Sequence, residues 1–194
     1  MGKIFYLMGK SSTGKDTLFR ELKKQFPALK TVVLYTTRPI REGERNGREY
    51  FFVSEKYLKQ LQDLNKVIEL RSYQTMYGVW RYFTVADEQI NLTENSYLMI
   101  GTLESYESIK KYFGNDSIVP IYIEVEDGER LSRALEREKR QMVPRYGELC
   151  RRFLADDIDF SEENLEQAKI EVRFANDDMK SCVNEIMLYI NENL

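Results

Sequence analysis

Gly9-Lys10-Ser11-Ser12-Thr13-Gly14-Lys15-Asp16-Thr17 brings together in one stretch what a triphosphate needs. Gly9 to Lys15 keep the spacing G-x-x-x-x-G-K. Glycines let the backbone fold so that successive N–H groups point inward. A helix starting near Lys15 adds the positive end of its dipole. Lys15 then reaches the β and γ phosphates as a point charge. The chemistry implied is phosphoryl transfer from ATP. At the position after Lys15, where Ser or Thr ordinarily touches Mg²⁺, stands Asp16, with Thr17 next. A carboxylate also serves a hard cation, so the pattern leaves the metal to Asp16 or Thr17.

A second group of chemically able residues lies in Thr36 to Tyr50, a segment dense in Arg, Glu and Gly. Arg38 and Arg41 stand three apart, with Tyr50 a little further on. Two guanidinium forks and a phenol suit a phosphomonoester, because they hold it by directed hydrogen bonds. Alone, such a run reads as a solvated face. Behind a phosphate loop it points to an anionic acceptor.

These groups need a frame. Lys3 to Met8 is an apolar, β-forming run and reads as a buried strand. Leu18, Phe19, Leu22 and Phe26 recur at helical spacing over Lys15 to Phe26. The loop thus sits between strand and helix, as its mechanism requires. Thr31 to Tyr35 predicts a second strand, Phe51 to Val53 a short one, and Ser54 a cap for a helix through Leu64. Val67 to Leu70 and Tyr77 to Thr84 predict a small subsidiary sheet. Tyr97 to Ile100 and Ile118 to Val125 read as buried strands, with Pro120 placing the latter early or at an edge. Helices are expected over Leu103 to Phe113, Glu129 to Arg140, and Arg145 to Ile158, the last broken by the acidic stretch Asp156 to Asp159. Ile170 to Phe174 predicts a final strand and Cys182 to Ile190 a closing amphipathic helix. Strands alternating with helices predict an α/β fold with a mostly parallel sheet flanked by helices, of the phosphate-loop NTPase type. The segment Thr36 to Thr84 interrupts the alternation as a separate lobe.

The 194 residues suit one domain. A net charge of −3 gives no reason to expect nucleic acid or an anionic membrane as partner. Histidine is absent, which excludes Ser-His or Cys-His catalysis and a His-ligated zinc. Cys150 and Cys182 are too few and too far apart for a secreted disulfide framework. The apolar run Ile4 to Met8 is too short to span a membrane or to form a signal core. The cytoplasm is therefore the expected compartment.

The loop GKSSTGKDT and the stretch TTRPIREGERNGREYFFVS together resemble the guanylate kinase family. The second stretch is similar to the family's T-T-R-x-x-R-x-G-E-x-x-G-x-x-Y monophosphate signature. The likeness continues through Val67-Ile68-Glu69-Leu70, Tyr77-Gly78, Arg133 and Arg137, Arg152-Phe153-Leu154-Ala155 and Asn176-Asp177-Asp178. The resemblance implies ATP-dependent phosphorylation of GMP in purine nucleotide metabolism, with Mg²⁺, by one 1–194 domain. Its core would be 1–34, 85–126 and 160–194, with a monophosphate lobe over 35–84 and an Arg-rich helical lid over about 127–159. It implies that Arg38, Arg41, Tyr50 and Tyr77 hold the acceptor phosphate, that Glu69 bonds guanine N1 and N2 hydrogens, and that Thr102 lies at the base. Arg133, Arg137 and Arg152 would neutralise the transferring phosphoryl group, and Asn176 would lie near adenine. Three positions depart from the family: Leu34 and Val79 replace hydroxyl residues, and Met99-Ile100-Gly101-Thr102 replaces an Asp-x-Asp pair. All three thin the base reader, so a nucleoside monophosphate is the firmer acceptor class. Two alternatives stand beside this reading. One is a related kinase acting on a sugar phosphate; the other is a non-catalytic module, a class that typically loses the loop this chain keeps. Nucleotides are the expected partners, for a monomer or homodimer.

Overall fold

An apolar run without alternation suits a strand covered on both faces, and β1 (Ile4–Met8) is buried at every position. It pairs in parallel with β7 (Tyr97–Gly101) on one side and β8 (Ile118–Glu124) on the other. β2 (Lys30–Thr31) and β9 (Arg173–Ala175) complete a five-stranded parallel sheet in the order β2-β7-β1-β8-β9. The computed structural model describes residues 1–75 and 78–194.

Side chains alternate across a strand, so β1 feeds two cores. Phe5 and Leu7 meet Leu18 and Leu22 of α1 (Lys15–Gln25) and Cys182, Ile186 and Ile190 of α7 (Met179–Asn193). Ile4, Tyr6 and Met8 face the other way, onto Tyr106 and Ile109 of α3 (Leu103–Phe113) and Leu165 of α6 (Glu162–Gln167). Leu18 is wholly buried, and its truncation to Ala would cost about 2–5 kcal/mol. The loop between β1 and α1 is thus anchored at both ends in packed core. Cys182 is buried, Cys150 is exposed, and both are free thiols. No helix among the described residues is long and apolar enough to cross a membrane.

The predicted strand Thr31 to Tyr35 is two strands in two sheets. β2 ends at Thr31, and β3 (Tyr35–Thr36) joins a second sheet of order β4-β3-β6-β5. Val32 and Leu34 pack on the core, while the Val33 backbone bonds the Gln89 side chain on both its N–H and its carbonyl. One continuous apolar run therefore crosses between sheets, which periodicity does not reveal. Pro120 is the third residue of β8, and β9 pairs only with Tyr122 to Glu124. At Pro120 the strand has a neighbour on one side only, so the ring that blocks a ladder bond is tolerated.

The second sheet combines β4 (Phe51–Phe52), β5 (Val67–Thr75) and β6 (Gly78–Val85) with β3. Ser54 caps α2 (Glu55–Asp63) by accepting the Tyr57 N–H. Leu58 and Leu61 of α2 then pack on Phe83 and Val85, a small core of its own. Arg81, on that same face of β6, pairs with Glu55 at 2.6 Å. The opposite face carries Tyr82 and Thr84 beside Arg71 and Glu69.

Two helices complete the chain, α4 (Asp127–Lys139) and α5 (Tyr146–Asp159). The acidic stretch does not break α5, which runs through Asp159. Asp156 and Asp157 are held by cations and a backbone N–H, which removes the like-charge penalty expected from the sequence.

Candidate active site

The donor loop is a tight turn, and two of its glycines are required by contact. A Cβ on Gly9 would lie 2.6 Å from the Ile123 carbonyl oxygen. Gly14 has φ +86°, and a Cβ there would meet Asn176 Nδ2 at 2.6 Å. That left-handed residue starts α1 without a side-chain cap, so its first N–H groups are left for a ligand. Ser12 also has positive φ, at 67°. Thr13 is buried and donates its hydroxyl to the Lys10 carbonyl.

Lys15 forms no ion pair among the described residues. Burial draws its pKa down, and the carboxylates of Asp16 and Asp156 draw it back up. Lys10 behaves otherwise. Its Nζ lies 2.8 Å from Asp157 and 3.6 Å from Asp127, so it ties the loop to α4 and α5. The Ser11 N–H donates to Asp156 at 2.7 Å. A carboxylate there meets a loop amide of the kind that receives phosphate.

Arg130 organises these carboxylates. It is wholly buried, contacts Asp127, Asp156 and Asp157 at 2.8–3.3 Å, and stacks 4.0 Å over Phe153. Its position in an arginine-crowded helix concealed this role. The available sequence signal was the acidic pair Asp156-Asp157, which needed a buried cation. The resemblance-implied lid arginines divide. Arg133 reaches Glu129 and the Asn176 carbonyl, and Arg137 reaches the Ser12 hydroxyl at 3.2 Å. Arg152 lies 3.5 Å from Glu148.

In the lobe, Arg38 is buried and its fork is committed. Nη1 and Nη2 reach the two Glu44 oxygens at 2.8 and 2.6 Å, with rings of Tyr50 and Phe52 each 5.2 Å away. The Arg38 hydrogen bond holds Glu44 well below the usual carboxylate range, at about 2. Arg38 therefore meets Glu44 with both ends of its fork, and Glu44 in turn holds the Arg41 backbone. Arg41 is exposed, its N–H is held by Glu44, and its guanidinium lies 5.6 Å from the Trp80 ring. Glu69 is also committed: Arg71 Nε and Nη2 reach it at 3.0 and 3.2 Å, and Thr84 donates at 2.8 Å. Tyr77 lies outside the described residues.

One cleft of ≈ 440 Å³ flanks the loop beside Lys10 and Asp127. A larger one, ≈ 640 Å³, opens between loop and lobe. Lys15 and Asp16 wall it on the donor side, Tyr50 and Tyr82 on the lobe side, and Arg151 and Arg152 come from α5. Leu34 and Thr102 also line it. Thr102 caps α3 through Ser105, which occupies its hydroxyl. Val79 pairs with Gln74 in the lobe hairpin.

A magnesium ion in such a site takes few protein ligands and keeps substrate oxygens and water. Among the described residues no three His, Cys, Asp or Glu side chains gather to hold a metal. The Asp16 carboxylate lies on the cleft wall beside Lys15 and is exposed, whereas the Thr17 hydroxyl accepts from Arg20 at 3.2 Å. Asn176 donates to the Thr13 carbonyl at 2.7 Å, while its buried Oδ1 accepts no bond among the described residues.

Known proteins share sequence and fold with this chain. The family model for guanylate kinase matches residues 1–192. A guanylate kinase of Porphyromonas gingivalis is 29% identical over 195 residues, spanning 96% of this chain and 95% of the relative. One of Thermotoga maritima is 28% identical, spanning 86% and 82%. The crystal structure of guanylate kinase from Anaplasma phagocytophilum superposes with a TM-score of 0.66 at 19% identity, covering 98% of this chain and 85% of that one, and shares the fold. Because the family model matches residues 1–192, nearly the whole length, the chain belongs to the guanylate kinase family.

Proposed function

We propose that the protein transfers the γ-phosphoryl group of ATP to GMP, giving ADP and GDP. The observation that carries this reading is the shared cleft: Lys15 of the donor loop and Tyr50 of the lobe line one cavity, with Arg152 of α5 on its wall. An acceptor phosphate oxygen attacks the γ phosphorus, a bond forms between them, and the bond from that phosphorus to the β–γ bridging oxygen breaks. ADP carries away the electron pair. The acceptor oxygen is already anionic, so the step needs no general base, in keeping with a chain that has no histidine.

Catalysis then rests on placement and charge. Loop amides and Lys15 hold the donor phosphates. Arg41 and Tyr50 hold the acceptor phosphate, Tyr77 joining them as the family signature implies. Arg38 joins the acceptor side with them, holding Arg41 through Glu44 and lying against the Tyr50 ring. Arg137 and Arg152 balance charge on the moving group, Arg133 supports Asn176, and Asn176 Oδ1 offers an acceptor toward the adenine amino group. Asp16 or Thr17 would hold magnesium, which when bound would supply positive charge to the phosphates. The assigned compartment is the cytoplasm.

A coupled ADP-release assay across GMP, dGMP, AMP, CMP and UMP tests the reading. GMP is expected to support turnover well above the ATP hydrolysis background. Equal background rates with all five, despite ATP binding, would remove it.

A further inference from the structure

β5 carries a register shift between Val67 and Glu69. Such a bulge re-aims the following side chains. It puts Glu69 opposite Thr84 and Arg71 opposite Tyr82, on the sheet face away from α2. There Glu69, its side chain 2% exposed, takes Nε and Nη2 of Arg71 and the Thr84 hydroxyl. A carboxylate is an acceptor with about four lone-pair sites. Three are filled from within the lobe, so little of Glu69 remains to read a ligand.

Arg71 is the partner that meets the cavity. It lines the ≈ 640 Å³ cleft and also an adjoining space of ≈ 410 Å³, and Tyr73 and Thr102 stand on both walls with it. The edge of its fork formed by Nε and one Nη2 hydrogen is spent on Glu69. The other edge, Nη1 with the second Nη2 hydrogen, carries the remaining donors, and the Tyr73 hydroxyl stands beside the same guanidinium. Glu69 fixes the plane of the fork, so those donors hold one direction. Such an edge matches two adjacent acceptors on a flat ring, the pattern of a purine 6-oxo group and N7. A 6-amino group presents a donor instead and meets donor with donor.

We propose that Arg71, oriented by Glu69, is the specificity-determining residue of the acceptor site. It selects 6-oxopurine monophosphates as a class and leaves the 2-amino group unread. The inference rests on the acceptor being a nucleoside monophosphate, and adds that IMP, which lacks the 2-amino group, is a substrate alongside GMP.

The test is steady-state kcat/KM for GMP, IMP and AMP with wild type, Arg71→Lys, Glu69→Gln, and the uncharged pair Glu69→Gln with Arg71→Met. Wild type is expected to use IMP within about tenfold of GMP, because an unread group is discriminated weakly, and AMP about 10³-fold less well or worse, because buried donors stay unpaired. Arg71→Lys keeps the charge but loses the fork, and should lower GMP and IMP together by about 10- to 100-fold with AMP unchanged. Glu69→Gln should leave the GMP to IMP ratio within about threefold of wild type on the same grounds. The double variant, which leaves no unpaired buried charge, should resemble Arg71→Lys. Rejection of IMP by more than about 10³-fold in wild type, the mark of a buried group reading the 2-amino, overturns the inference while GMP turnover keeps the kinase reading. An unchanged GMP to AMP ratio in Arg71→Lys also overturns it. Absence of turnover with all three nucleotides overturns both. Should the variants fail to fold, the three wild-type rates decide alone.

Discussion

The donor loop and the acceptor lobe solve the problem of binding phosphate with opposite uses of charge. In the loop, the central cation, Lys15, forms no ion pair among the described residues, and burial draws its pKa down. In the lobe, Arg38 and Arg71 are each paired with a carboxylate within six residues along the chain, at 2.6 and 3.0 Å. The loop's own pairing, through Lys10 and Ser11, goes to carboxylates more than a hundred residues away. An unpaired lysine can gain most from an incoming anion, since it gives up no partner. A paired arginine gives up flexibility instead, and presents the rest of its fork in a fixed plane. The first arrangement favours strength of attraction and the second favours discrimination.

Four substitutions probe that contrast, from strong to weak. Lys15→Ala removes the free cation and should lower kcat by about 10³-fold with the GMP KM little altered; initial rates at saturating nucleotide measure it. A variant retaining full rate would remove Lys15 from the chemistry. Arg130→Met breaks the hub joining the loop to α4 and α5. Losing one partner of a buried ion cluster costs about 3–5 kcal/mol. The low end, about 3 kcal/mol, is expected, since Asp127 and Asp157 are half open to water with side chains 52% and 38% exposed. Urea unfolding reads this directly.

Arg41→Ala removes an exposed guanidinium and should raise the GMP KM about tenfold while leaving the ATP KM unchanged. An equal rise in both would show that the lobe and loop do not separate as described. The mildest test is pH. Glu44 has its pKa lowered in the fold to about 2 from 4.5. Its pairing therefore adds stability that is fully present above pH 4.5 and is lost as pH falls through about 2. Glu44→Gln should flatten the acid dependence of lobe stability across that window. Trp80, the single tryptophan, lies in β6 and reports on the lobe by fluorescence.

Much of the donor site was legible from contiguous residues. Strand, loop and helix follow one another within Ile4 to Gln25, so local pattern carried their geometry. α3 agrees with its predicted limits because Thr102 and Ser105 form a capping box and Gly114 follows its end. The acceptor side was less legible. Its arginines were visible, but which of them turn inward depends on Glu44 and on a bulge in β5, and a bulge has no periodic signature. Arg71 was missed because it reads as one more polar residue of a strand. α6 was missed too, being a six-residue helix with Leu165 as its buried anchor.

The core beneath the lobe has a separate consequence. It rests on four buried residues, Leu58, Leu61, Phe83 and Val85, apart from the two clusters around the parallel sheet. Contiguous units with few buried contacts open at lower free energy than the rest of a protein. Amides of β5 and β6 should thus exchange with solvent deuterium sooner than those of β1 and β8. Destabilising this patch, as by Leu58→Ala, would shorten the lifetime of the folded lobe and leave the parallel sheet protected. The chain would then unfold in two steps, and the step lost first would be the one that recognises the acceptor.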